Sequence, residues 1–465
     1  MRIVRTILAI SFLPLLACGT SKSTNDRMTD ETIFTASTIV EGADQTPRHD
    51  RAIYVAGGTI RETGSAADIR RAHPNARVVD APRATILPGL TDAHAHLYGL
   101  GLALDVVNLT GTTSVDDSVG RVRERVATAT PNDWVQGRGW DQNDWPVKEF
   151  PTAAMLDAVA TDHPLWLKRV DGHAGWANAA ALRAAGVTAA TADPEGGRII
   201  RNERGEPTGV FVDNAMDVVE KVIPAPSFDL RKRRVLAAAQ DIARNGLTEM
   251  HDAGANAETI RAVRELIDEK RFPIRVYTMV SDEPELLKEW FARGPLIGYG
   301  GRLTVRSVKM YADGALGSRG AAMLAPYNDE PSNSGLMLAT IEHMADVAKR
   351  AKAAGFQANT HAIGDRGVDN VIDAYERSGV APADRFRIEH FQVVAPQDFA
   401  RVAHDGIIAS MQPTHATSDM RWAERRVGAE RIKGAYAWRT VLNSGARLAL
   451  GSDFAVEDVN PWFGI

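Results

Sequence analysis

Ala84-Thr85-Ile86-Leu87-Pro88-Gly89-Leu90-Thr91-Asp92-Ala93-His94-Ala95-His96 joins a short apolar run, broken by Pro-Gly, to a pair of histidines. A run of this length bounded by turn residues reads as a buried strand, placed here at Ala84–Leu87. His94 and His96 are two residues apart, so on an extended chain their rings face the same side and can converge on one point. Imidazole is the commonest side-chain metal ligand, and such a pair at a strand end is a natural chelate. An isolated His-x-His is more often two polar residues at a strand terminus. The rest of the chain decides between the two readings.

From Leu87 onward, strand-like and helix-like patterns alternate. Further strands are expected at Leu247–His251, Ile274–Met279, Leu303–Tyr311, Gln357–Thr360, Phe386–His390, Ile407–Met411 and Arg447–Leu450. Helical periodicity falls at Asp229–Asn245, Glu258–Glu269, Ile341–Ala354, Gly367–Ser378 and Pro396–Asp405. Eight strands alternating with helices give an α/β chain, a (β/α)8 TIM-type barrel. Thr32–Val40, Ala52–Ala56 and Arg77–Val79, with a Gly57-Gly58 turn, read as a small N-terminal β-sandwich domain. The domain reading is therefore 31–83 for an incomplete β domain and 84–465 for the barrel. An insertion at about 99–246, holding Trp134, Trp140, Trp145, Trp166 and Trp176, is longer than a βα unit needs. It reads as a lid or subdomain, whose tryptophans are expected mostly in its core. Asn460-Pro461-Trp462-Phe463-Gly464-Ile465 leaves no room for an eighth helix, so the barrel is expected to be C-terminally truncated.

Residues at the C-terminal ends of barrel strands face a common site. His94 and His96 follow the first strand, and Lys309 lies on the fourth, ahead of Asp313. His361 lies at the fifth, His390 at the sixth and Asp453 just beyond the eighth. Each has a bland reading alone, but the four histidines, Lys309 and Asp453 together at strand ends form a plausible metal cage. Nitrogen and carboxylate donors suit Zn²⁺, with Fe²⁺, Mn²⁺, Co²⁺ and Ni²⁺ as alternatives. Lys309 can join only if its amine, neutralised by burial, is carboxylated to a carbamate.

The 465 residues are 44% hydrophobic and 24% charged with a net charge of −5, ordinary for a globular chain. No basic stripe stands out, so a nucleic-acid partner is not expected. Arg2 and Arg5 precede the apolar stretch Thr6–Ala17, which is too short to span a bilayer but fits an export signal. Cys18, the only cysteine, then follows Leu15-Leu16-Ala17. Residues 1–18 resemble a bacterial lipoprotein signal, with 19–30 as a tether. An exported protein in the cell envelope, anchored by lipid on Cys18, is the expectation; a soluble periplasmic or secreted protein is the alternative.

Thr91–His96, Val308–Gly314, His361–Asp365, Arg387–Gln392, Ser410–Asp419 and Gly451–Pro461 resemble the motif series of the amidohydrolase superfamily. Asp171–Asn178 and Met411–His415 are particularly similar to its amidohydrolase 3 branch, which includes the N-substituted formamide deformylases. The resemblance implies that His94, His96, His361, His390 and Asp453 ligate one or two divalent metals, with Lys309 as a carboxylated bridge. The expected activity is hydrolysis of a non-peptide C–N bond (amide, formamide or cyclic amide) in a small molecule. The metal would activate a water, and Asp453 would act as general base and then acid. His173, Asp313 and His415 are candidates for substrate binding or oxyanion stabilisation. The rivals are a metal-dependent esterase, lactonase or phosphoesterase, and a non-catalytic barrel scaffold. Family members continue past the eighth strand, so this chain reads as a fragment of a longer protein.

Overall fold

The structure is a computed structural model describing residues 31–465 except 43–46, 131–132, 170–173, 195–196, 214 and 318. The proposed signal, tether and Cys18, as well as His173, lie outside the described residues.

Four strands, β1 (Glu31–Ile39), β2 (Arg51–Ala56), β3 (Thr59–Ser65) and β4 (Arg77–Ile86), form one sheet in the order β3-β2-β1-β4. Gly57 and Gly58 take φ of 60° and 70°, the positive values that a two-residue hairpin turn demands. The expected sandwich is therefore a single sheet among the described residues. A small core of Ile33, Ala52, Tyr54, Ile69 and Ala76 lies between it and the helix Ala66–Ala72.

The boundary between sheet and barrel also differs from expectation. Ala84–Ile86 ends β4, pairing in parallel with β1 through Thr38↔Thr85 and Ile39↔Ile86. The barrel starts after Pro88-Gly89, at β5 (Leu90–Ala95). Side chains along β4 are half-buried or exposed, so the apolar run is a one-sided edge strand and not a barrel strand. Gly89 is required at the crossing because a Cβ there would overlap the Thr248 side chain.

The inserted unit has its own sheet: β6 (Val107–Asn108), β7 (Val135–Trp140), β8 (Leu165–Arg169), β9 (Ala174–Ala177), β10 (Gly197–Arg201) and β11 (Pro207–Asp213). Their order is β10-β11-β9-β8-β7-β6. Trp140, Trp145, Trp166 and Trp176 are buried here, and Trp134 packs partly buried against the same unit. The insertion is thus shorter than 99–246. The helices Leu97–Asp105 and Phe228–Arg244 on either side of it pack against the barrel.

The chain re-enters the barrel at β12 (Leu247–Ala255) and β13 (Arg275–Ser281). A short hairpin strand, β14 (Leu296–Tyr299), precedes β15 (Leu303–Tyr311). The barrel then continues through β16 (Gln357–Ala362), β17 (Arg387–His390), β18 (Ile408–Met411) and β19 (Arg447–Leu450). Neighbours pair in parallel in the order β19-β18-β17-β16-β15-β13-β12-β5, and β14 pairs antiparallel with β15. The circle is closed by the turn after β19. His96 N donates to Phe454 O at 2.7 Å and Asp453 N donates to His94 O at 2.8 Å. The Asp92 carboxylate also accepts from Ser452 N (3.1 Å) and Ser452 Oγ (2.6 Å). The seam that completes the barrel is therefore built beside the first histidine pair.

Candidate metal centre

Parallel register stacks the interior in layers. Lys309, Asn359 and Arg387 occupy one layer, and Tyr311, His361, Glu389 and Ser410 the next toward the C-terminal rim. Alternation alone would turn His390 away from Glu389. His390 instead takes φ of 73° and Phe391 φ of 45°, which ends the strand and brings the imidazole into the site. Asp453, at φ of 66°, enters from the seam in the same manner. Non-glycine residues in this region cost of order 1–3 kcal/mol each, and such strain clusters at functional sites.

The side chains that converge are His94, His390 and Asp453, each offering a ligand atom within 4.8 Å of the others. His94 Nε2 and His390 Nδ1 are buried without a hydrogen-bond partner among the described residues. A buried polar atom left unpaired is costly, and two imidazole lone pairs beside a carboxylate fit a divalent cation. The remaining predicted ligands surround this trio. His96, one-third exposed, places Nε2 3.0 Å from Asp453 Oδ1. The His361 ring lies 4.5 Å from that of His390, and Lys309 Nζ lies 4.7 Å from the Tyr311 ring centre.

Burial lowers His94 to about 4, with the Lys309 charge acting in the same direction against Glu389. Burial and Lys309 take His361 to about 3, and burial with the neighbouring imidazoles takes His390 well below its ordinary value. Such rings are neutral at pH 7, the form in which imidazole binds a metal. Burial opposes ionisation of Asp453, but the contact with His96 and the surrounding imidazoles hold it down to about 2. Burial also draws Lys309 down to about 8 against the charges of Glu389 and Asp453.

Of the substrate-binding candidates, His415 stands at the site. Its ring is stacked on His390 at 5.8 Å, and its Nε2 is 3.5 Å from Asp453 Oδ2. Asp313 is differently employed. Its carboxylate accepts from Ala322 N (2.9 Å), Ile363 N (2.9 Å) and Gly364 N (2.8 Å), which ties the loop after β15 to the turn after β16. Burial nonetheless pushes it up to about 7. Asp313 therefore shapes the backbone beside His361 and has its acceptors already engaged.

Sequence reasoning missed the fully buried Glu389, whose Oε2 lies 2.5 Å from His94 Nδ1, and Arg387, which bonds it. It also missed Asp92 at the seam and Asp252, whose Oδ1 accepts from Leu97 N at 2.9 Å. The available signal was the alternation Arg387-x-Glu389, which puts two charges on one face of a strand with a buried neighbourhood.

A parallel barrel with imidazoles and a carboxylate gathered at its C-terminal rim belongs to a class of metal-centred barrels. The chain belongs to the amidohydrolase family, whose model matches residues 77–465. It is thereby a metal-dependent hydrolase of that family. Residues 52–76 match a bacterial imidazolonepropionase-like composite domain. The chain is 32% identical to the amidohydrolase YtcJ of Bacillus subtilis, over 92% of this chain and 81% of that protein. It is 26% identical to the N-substituted formamide deformylase of Arthrobacter pascens, over 88% and 78% respectively. An uncharacterized metal-dependent hydrolase from Pyrococcus furiosus superposes with a TM-score of 0.79 at 26% identity, covering 93% of this chain and 87% of that one.

Proposed function

We propose that this protein hydrolyses a non-peptide C–N bond (amide, formamide or cyclic amide) in a small molecule. The carrying observation is the gathering of His94, His390 and Asp453, whose ligand atoms lie within 4.8 Å of one another, with the buried His94 Nε2 lacking a hydrogen-bond partner among the described residues. These three residues would hold a divalent cation, zinc in the first instance. His96, His361 and a carboxylated Lys309 would supply the donors for a second. Bound there, such a cation lowers the pKa of water and polarises a carbonyl. Asp453 would accept the proton of the attacking water and return it to the leaving nitrogen. His415, beside Asp453 and on the rim, would orient the substrate carbonyl, with His173 as a further candidate.

The formamide deformylase relative supports a C–N bond over an ester, lactone or phosphoester. Elemental analysis and native mass of the purified chain, followed by a panel of N-formyl amines, cyclic imides and aryl esters, test the reading. One or two metals per chain, a CO2 adduct on Lys309 and turnover of a C–N substrate are expected. Asp453→Asn should cost at least about 10²-fold in that turnover. Turnover confined to esters would favour the alternative bond class. Absence of stoichiometric metal, with no turnover of any substrate in the panel by the wild type, would return the barrel to a scaffold.

We also propose export and lipid anchoring through Cys18, on the strength of Arg2, Arg5 and the apolar Thr6–Ala17. No helix among the described residues is long and apolar enough to cross a membrane. Cys18→Ser should move the protein from the membrane fraction to the soluble one. Unchanged fractionation would rule out the anchor.

A further inference from the structure

Arg387 is 3% exposed and sits inside the barrel, where an unpaired guanidinium would be prohibitively costly. Its fork is spent on four strands at once. Nη2 shares its two hydrogens among Glu389 Oε2 (2.9 Å) on its own strand, Ala93 O (2.6 Å) on β5 and Ser410 Oγ (2.7 Å) on β18. Nη1 donates to His251 Nδ1 (2.8 Å) on β12, and Nε lies 2.7 Å from Glu389 Oε1. An ionised carboxylate only accepts hydrogen bonds, so the 2.5 Å contact between Glu389 Oε2 and His94 Nδ1 puts the imidazole proton on Nδ1. That leaves the lone pair on Nε2, the atom that has no hydrogen-bond partner among the described residues and lies 3.6 Å from Asp453 Oδ1.

We infer that Glu389 is a positioning residue that fixes the His94 tautomer and ring orientation for metal binding through Nε2, and that Arg387 holds Glu389 in place for this task. The inference rests on the metal-centre reading above. A carboxylate behind a ligating histidine raises the basicity of the ligand and fixes its tautomer, and loss of such a partner typically weakens metal binding 10–100-fold. Arg387 adds a mechanical element. By bonding Ala93 O, it grips the β5 backbone one residue before His94, so carboxylate and imidazole are referenced to the same guanidinium. Lysine lacks the planar fork and cannot make these contacts together.

The test uses the full chain. Glu389→Gln, Glu389→Asp and Arg387→Lys are compared with the wild type by chelator competition for Zn²⁺. Expected are about 10–100-fold weaker binding in Glu389→Gln, partial recovery in Glu389→Asp and weakening in Arg387→Lys. Wild-type affinity in Glu389→Gln would overturn the inference. If the variants do not fold, histidine-selective ¹⁵N NMR of the metal-free wild type, with His94 assigned through His94→Gln, decides the matter. A protonated Nδ1 on His94 is required, and a protonated Nε2 with a bare Nδ1 would sink the proposal. The same spectrum separates the two readings. A protein that binds no divalent metal yet shows the Nδ1–H tautomer would lose the metal centre, while the Glu389–His94 arrangement would stand.

Discussion

Gly451 shows how closely the site and the barrel closure are bound together at the level of single atoms. A Cβ at this position would overlap the His94 backbone nitrogen and come within 2.7 Å of Asp92 Oδ1. Both belong to the seam, which carries His94 on one side and Asp453 on the other. Gly451→Ala must therefore open the seam or displace the histidine. A destabilisation of about 1–3 kcal/mol, the usual cost of overpacking, is expected together with weaker metal retention. Chemical denaturation and metal analysis of the same preparation measure both, and an unchanged midpoint with full metal content would show that the seam yields freely. The candidate ligands His94, His390 and Asp453 were legible in the sequence because histidine and aspartate at strand ends are conspicuous. Glu389 and Arg387 were not, because a charged pair on a strand usually marks a solvent-facing side. Only their 0% and 3% exposure reveals a pair turned inward.

At the scale of elements, the barrel strands β12, β13 and β15 to β19 were readable because buried parallel strands are short apolar runs between amphipathic helices. Two features escaped that logic. The strand before the histidine pair was assigned to the barrel, although Ala84–Ile86 finishes the N-terminal sheet. An apolar run of four residues reports burial on some face, but not which sheet supplies the partner. The second feature is the pair of left-handed turns at His390 and Asp453. Period-2 alternation cannot place Glu389 and His390 on one side of a strand, yet both serve the same site. A positive φ converts the strand end into a corner, so consecutive residues deliver one side chain behind His94 and another in front of it. Residue type signals that geometry only weakly: aspartate and histidine are enriched at positive φ, yet most of them do not adopt it.

At the scale of the whole molecule, the barrel and the insertion keep separate apolar interiors. The barrel core runs from Ala95 to Phe454, whereas Trp140, Trp145 and Trp176 pack edge-on or tilted against one another inside the insertion, with ring centres 6.1–6.4 Å apart. Trp140 also donates from Nε1 to Leu167 O at 2.7 Å, joining β7 to β8. Truncating it removes a large buried ring and leaves a carbonyl without its side-chain donor. Trp140→Ala is therefore expected to cost the insertion about 3–5 kcal/mol. The candidate ligands all lie on barrel elements, so this loss should leave metal binding intact. Urea unfolding followed by tryptophan fluorescence, with metal release tracked in parallel, distinguishes two architectures. If the interiors are energetically as separate as their contacts, fluorescence will report an early transition in the variant while metal release keeps its wild-type midpoint. If both signals move together, insertion and barrel form one cooperative unit. The folding free energy of the insertion would then bear directly on the metal centre.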